Sequence, residues 1–98
     1  MQYNRHVRNR NYRLFQERSE NIKKRSFSDF EVLRIFIKNL SLSGFDGIDK
    51  KHNPHKLKGK FARHNECHVM PDLLLIWMED RASLKITLIR TGTQSDLF

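Results

Sequence analysis

The spacing of apolar residues changes character three times along the chain. Tyr12, Phe15 and Ile22 recur at helical spacing among basic residues, which predicts a helix with one thin apolar stripe from Arg8 to about Ser19. A second, broader stripe follows in Phe30, Leu33, Phe36, Ile37 and Leu40. Ser28 and Glu31 stand where a capping box would open this helix, and Phe27 and Val32 where a hydrophobic staple would. Ser41-Leu42-Ser43-Gly44 closes it, with Gly44 available for a left-handed cap. Residues 43–60 then lose all periodicity and hold three of the four glycines, Pro54 and many lysines, the composition of a long loop.

From Phe61 the period becomes two. Phe61, Cys67 and Val69 fall on one side of a strand, and His64, Glu66 and His68 on the other, a polar surface. Leu73 to Met78 is an unbroken apolar run between Pro71 and Glu79-Asp80. It is far too short to span a bilayer and reads as a strand buried on both faces. Arg81-Ala82-Ser83 makes a turn, after which Leu84, Ile86 and Leu88 alternate with Lys85 and Thr87. Residues 2–7 suit a short edge strand. Two helices followed by an antiparallel meander give an α+β fold, its helices packed on one sheet face.

Composition narrows the function. At 98 residues the chain is one domain, 1–98, near the lower end of what buries its own core. A single cysteine excludes an internal disulfide, and with no signal-peptide pattern the expected compartment is the cytoplasm. The net charge of +8 is unevenly spread. Residues 1–25 carry +6 and residues 50–64 another +6, whereas 26–49 and 65–98 carry −2 each. Two basic blocks favour a polyanion or an acidic protein as partner.

Candidate chemistry gathers at Glu66-Cys67-His68-Val69-Met70-Pro71-Asp72. His68 ends one strand and Asp72 opens the next, and a strand end fixes a side chain without covering its tip. An imidazole there titrates near neutrality and passes protons either way. His55 lies upstream in the basic loop; His52 and His64 read as surface residues. A zinc site drawn from these histidines and Cys67 fits no standard spacing.

Three ordered blocks carry a resemblance: His55-Lys-Leu-Lys-Gly59, Glu66 to Trp77, and Arg90-Thr-Gly-Thr-Gln-Ser-Asp-Leu-Phe98. Together they resemble the YafQ branch of the RelE/ParE toxins. That resemblance implies a RelE-like fold, with an N-terminal strand and two helices packed on a small antiparallel sheet. It further implies a metal-independent, cofactor-free endoribonuclease that cuts mRNA in the ribosomal A site. The RNA 2′-OH attacks the adjacent phosphate and leaves a 2′,3′-cyclic phosphate. Under it, His55, His68, Asp72, Gln94 and Phe98 occupy the catalytic set, Phe98 as a stacking platform. Lys56, Lys58, Lys60, Arg63 and Arg90 supply positive charge to the RNA. Gln94 departs from the family, which has a histidine there, and Leu73 departs from the tryptophan of some members. Glutamine exchanges no proton, so a degenerate toxin that binds without cutting is the competing expectation. The gyrase-poisoning ParE branch lacks this His/Asp set. Implied partners are the ribosome, its mRNA and a cognate antitoxin of ribbon-helix-helix type. Operator DNA enters only through the antitoxin complex, and no membrane is involved.

Overall fold

A computed structural model describes residues 2–3, 10–83 and 85–97, with side chains from residue 13 onward except that of Leu97. The expected helix start at Arg8, the greater part of the 2–7 strand, Leu84 and Phe98 lie outside the described residues. Helix α1 spans Arg10–Arg25 and α2 spans Phe27–Ser43. The first helix therefore runs a turn and a half beyond its expected end near Ser19, which brings Ile22 into the core at 3% exposure. Ser26 alone separates the two. Its extended backbone (φ −155°, ψ 106°) breaks the helix, and its Oγ accepts from the Asp29 amide at 3.2 Å.

That cap sits two residues earlier than the expected Ser28–Glu31 box. Glu31 instead pairs with Arg34 at 2.9 Å, while Phe27 and Val32, the expected staple, are 59% and 43% exposed. Ser26 wins because its backbone already closes α1: its N–H donates to Ile22 O and its carbonyl accepts from Phe30 N. Gly44 ends α2 at φ 71°, ψ −170°, a positive φ as expected but with ψ extended rather than left-handed helical. Its N–H donates to Leu40 O at 2.8 Å.

The sheet has strands β1 (Gln2–Tyr3), β2 (His55–Lys56), β3 (Asn65–Met70), β4 (Leu73–Asp80) and β5 (Lys85–Gly92). Their order is β1-β5-β4-β3-β2, with β1 parallel to β5 and every other pair antiparallel. A four-residue helix, α3 (Gln94–Leu97), follows β5. Residues 45–61 are more ordered than a plain loop, holding three short 3-10 turns besides β2. Phe61 falls in the last of these turns, so the alternation expected from Phe61 begins only at Asn65.

One sheet face carries the helices. Cys67, Val69, Leu73, Leu75, Trp77, Ile86 and Leu88 pack there against Phe15, Ile22, Leu33, Ile37 and Leu40. Leu74, Ile76 and Ile89, 1–4% exposed, are buried outside that cluster, so β4 is covered on both faces as its apolar run predicts; only Met78, at 37%, opens to solvent. Burial pushes the Cys67 thiol up to about 12. Thr91, fully buried, spends its hydroxyl on Leu74 O at 2.9 Å. No helix among the described residues is long and apolar enough to cross a membrane.

Candidate active site

Strand register assembles the site. His55 pairs with Glu66, Glu66 with Ile76 and Ile76 with Arg90. Directly opposed residues of antiparallel strands project to the same side, so His55, Glu66 and Arg90 form one row across the face away from the helices. His68, Leu74 and Gly92 form the next row. Each strand spacing is about 4.8 Å, so the β3 and β5 members of a row stand roughly 10 Å apart, with the buried Ile76 or Leu74 of β4 between them. Bulges between His68 and Met70 and opposite Ile76–Trp77 flank this face. Such bulges re-aim side chains beside functional sites.

His55 is the best-held histidine. Its Nδ1 lies 2.8 Å from Asn53 O, and its Nε2 lies 3.1 Å from Glu66 Oε1. A carbonyl and an ionised carboxylate both only accept. Nδ1 therefore carries a proton toward Asn53, and Nε2 shares one with Glu66. Glu66 was expected on a polar surface, yet its side chain is only 9% exposed. The β2 strand carrying His55 pairs beside it, and its Oε2 is buried with no hydrogen-bond partner among the described residues. A buried carboxylate oxygen without a donor is costly.

His68 is half-buried, with Nδ1 3.4 Å from the Pro71 carbonyl. A carbonyl only accepts, so that contact puts a proton on Nδ1, and the neutral tautomer that fits it carries its lone pair at Nε2. The carbonyl of His68 is itself held, by Nδ1 of His52 at 2.7 Å. His52 was expected at the surface. Instead its ring is half-buried and stands edge-on to Phe36 of α2, with centroids 5.0 Å apart. It fills the β3 edge where β2 has ended. Nothing in the local sequence distinguishes it from His64, whose Nδ1 contacts the Phe61 and Ala62 carbonyls.

The remaining expected residues are less tightly gathered. Asp72 lies exposed in the β3–β4 turn and makes no hydrogen bond to His55 or His68. Leu73 is buried in the core at 6% exposure, unavailable for stacking. Gln94 is exposed at the start of α3. Its position is set by a reciprocal cap: Thr93 N donates to Asp96 Oδ2 at 3.1 Å, and Asp96 N to Thr93 Oγ1 at 3.3 Å. The Thr93 hydrogen bonds, and secondarily Arg18 and Arg25, hold the Asp96 carboxyl below its ordinary range. Gly92 makes the approach possible at φ 147°, where a Cβ would sit 3.0 Å from Asp96 Oδ2. Lys56, Lys58, Lys60 and Arg63 are all exposed around β2. Lys60 Nζ stands 5.6 Å from the Phe61 ring centroid, and Arg63 adopts φ 73°. Arg90 is half-buried and donates to Ile89 O at 2.9 Å. Phe98 lies outside the described residues. Among those residues no group of three or more His, Cys, Asp or Glu side chains is placed to hold a metal ion.

Comparison with known proteins gives a family and a fold. A sequence model of the YafQ toxins, described as bacterial toxins of type II toxin–antitoxin systems, matches residues 3–98. The fold is similar to a metal-bound toxin from Helicobacter pylori, 27% identical, with TM-score 0.74 over 99% of this chain and 96% of that one. It is equally similar to YafQ from E. coli (TM-score 0.74, 23% identity, 99% and 94% covered). The E. coli DinJ–YafQ complex gives 0.73 at 22% identity, over 99% of this chain and 94% of that one. A comparison with curated proteins returned no match.

Proposed function

The chain belongs to the YafQ family of bacterial type II toxins, and on that premise we propose that it is an mRNA endoribonuclease that works on the ribosome. The observation that carries the reading is the row across the open face, His55–Glu66–Arg90, with His68 beside it. The reaction needs a base for the 2′-OH, a proton for the leaving 5′ oxygen and cations at the phosphorane. His68, with Nε2 open, is the base. His55, protonated on both nitrogens between Asn53 and Glu66, is the proton donor and a cation beside the phosphate. When the Nε2–Glu66 contact breaks, the Nε2 proton passes to the leaving 5′ oxygen while Nδ1 stays on the Asn53 carbonyl. Arg90 adds charge from β5, and the exposed Lys56, Lys58, Lys60 and Arg63 grip the message from the β2 side.

Products are a 2′,3′-cyclic phosphate and a free 5′-OH, and DNA, lacking the attacking hydroxyl, is not cut. The E. coli relative's complex with DinJ supports a cognate antitoxin for this chain. We place on the antitoxin the ribbon-helix-helix DNA contacts that would repress the operon, and we assign the toxin to the cytoplasm. The test is cleavage of a defined mRNA in a purified translation system, with and without ribosomes, with the ends identified by mass. His68→Ala is expected to lower the rate by about 10²–10⁴-fold, the usual worth of a general base. Cleavage that survives this change sinks the assignment.

Gln94 favours a second reading, a toxin that docks without cutting, because an exposed amide at the start of α3 transfers no proton. Intact message with wild type and cleavage gained in Gln94→His would establish that reading.

A further inference from the structure

The basic loop at β2 uses one of the two basic blocks; the other, in α1, has no role in the chemistry above. Its C-terminal turn, Lys23-Lys24-Arg25, borders two adjoining cavities. One, of about 420 Å³, lies between the α1–α2 elbow and the Pro71–Asp72 turn. The other, of about 350 Å³, runs beside Arg18, Lys24 and Gly92. Arg25 lines both. We infer that the elbow cavity is a nucleobase subsite for the message, selective for bases with an exocyclic amine, with the neighbouring phosphate held at Arg25.

The inference rests on the ribonuclease reading and adds to it a place where sequence is read. Its volume lies within the roughly 300–1,000 Å³ of small-ligand sites. Ile22, Met70 and Leu73 supply apolar walls suited to a base face, while Asp29 and Asp72 supply carboxylates. Carboxylates accept from the amines of adenine, cytosine and guanine, whereas uracil presents carbonyls at the matching positions. Asp72, which meets neither histidine, thereby acquires a use. It lies next to Pro71, whose carbonyl receives His68 Nδ1, so the cavity and His68 share the β3–β4 turn. Arg18 and Lys24 extend the path along α1, over β5, while the other basic block flanks β2 at the opposite side of the sheet. The message would be gripped on both sides of His68.

Methyl-labelled protein titrated with uncleavable 2′-O-methyl oligonucleotides of A, C or U tests this directly. The Ile22 and Leu73 methyls are expected to shift with A and C, and at least about fivefold higher U should be needed for the same shift, the scale of one lost base contact. Arg25→Ala should weaken every oligonucleotide by about 5–10-fold and flatten the salt dependence. Asp29→Asn should bring U to within about twofold of A, since an amide also donates. Backbone spectra of each variant report its folding. Shifts confined to Leu74 and Ile76 overturn the subsite and leave the ribonuclease reading standing. Shifts at Ile22 with an antitoxin peptide but not with RNA give the cavity to the protein partner and also overturn it. Equal response to A and U removes the selectivity, and silence at both places overturns the subsite together with RNA binding at the open face.

Discussion

Glu66 and Glu79 are buried to nearly the same extent, with side chains 9% and 7% exposed, yet they have opposite surroundings. Glu79 is fully engaged. Its Oε1 accepts from the Phe45 amide at 2.9 Å and from the Trp77 indole at 3.3 Å, and Arg81 stands 4.0 Å from its Oε2. It ties the chain leaving α2 to β4 and holds Trp77, the largest fully buried side chain. Among the described residues Glu66 meets one ion-pair partner, His55, and its second oxygen has no hydrogen-bond partner. A buried carboxylate that gathers two donors and a guanidinium is part of the framework. One left half-satisfied, beside a histidine on the open face, is a place where stability has been given up for function.

Four measurements test that contrast, from the largest effect to the smallest. Glu79→Ala strands two donors, one of them the fully buried indole. Urea denaturation should show a loss of about 2–5 kcal/mol, each buried unsatisfied group costing about 1–3, with cleavage per folded molecule unchanged. Glu66→Gln should do the reverse. The isosteric amide replaces the carboxylate that His55 Nε2 contacts, so cleavage should fall by about tenfold or more, a loss of roughly 1.4 kcal/mol in the transition state. Stability should stay within about 1 kcal/mol of wild type, because a buried charge has been removed along with its pairing. A large stability loss here would erase the distinction between the two glutamates.

His52→Ala sharpens the contrast with a group that is satisfied yet touches the site. Loss of its hydrogen bond to the His68 carbonyl should cost about 1 kcal/mol. It should also move the His68 ring resonances, and His52→Gln, which keeps a donor, should restore both. Asp96 provides the smallest effect. Its folded carboxyl titrates below the ordinary 3.8. Its stabilisation is therefore complete above that value and lost as the pH falls through the lower folded one. Asp96→Asn should remove only the part of the acid unfolding that lies below about pH 4, with stability at pH 7 lowered by less than about 1 kcal/mol.

Periodicity was enough to read the framework. Leu73–Trp77 is buried on both faces, Leu33, Ile37 and Leu40 form the inner face of α2, and the α+β class follows from the order of the patterns. What escaped was decided by the neighbours of each residue across the sheet. The Ser28–Glu31 signal was sound chemistry, but Ser26 was already committed to ending α1. Glu66 alternates with Cys67 as a surface residue should, and only the fold of residues 50–56 over β3 buries it. His52 and His64 look alike in sequence; Phe36 and the open edge of β3 tell them apart. Asp72 was identifiable as a strand-start residue, whereas the cavity it lines depends on the α1–α2 elbow, some 45 positions away along the chain.

Cys67, fully buried between the register partners of β3 and β4, has a practical consequence. Its thiol, driven up to about 12, stays protonated and shielded wherever the protein is folded, so it is closed to maleimides at neutral pH. A cysteine introduced at an exposed position such as Lys60→Cys or Gln94→Cys would then be the sole labelling site. Fluorophores on the basic loop and on the tail could follow RNA or antitoxin capture in real time. The natural cysteine need not be replaced, and no serine hydroxyl need be placed opposite Leu75 in the middle of the sheet.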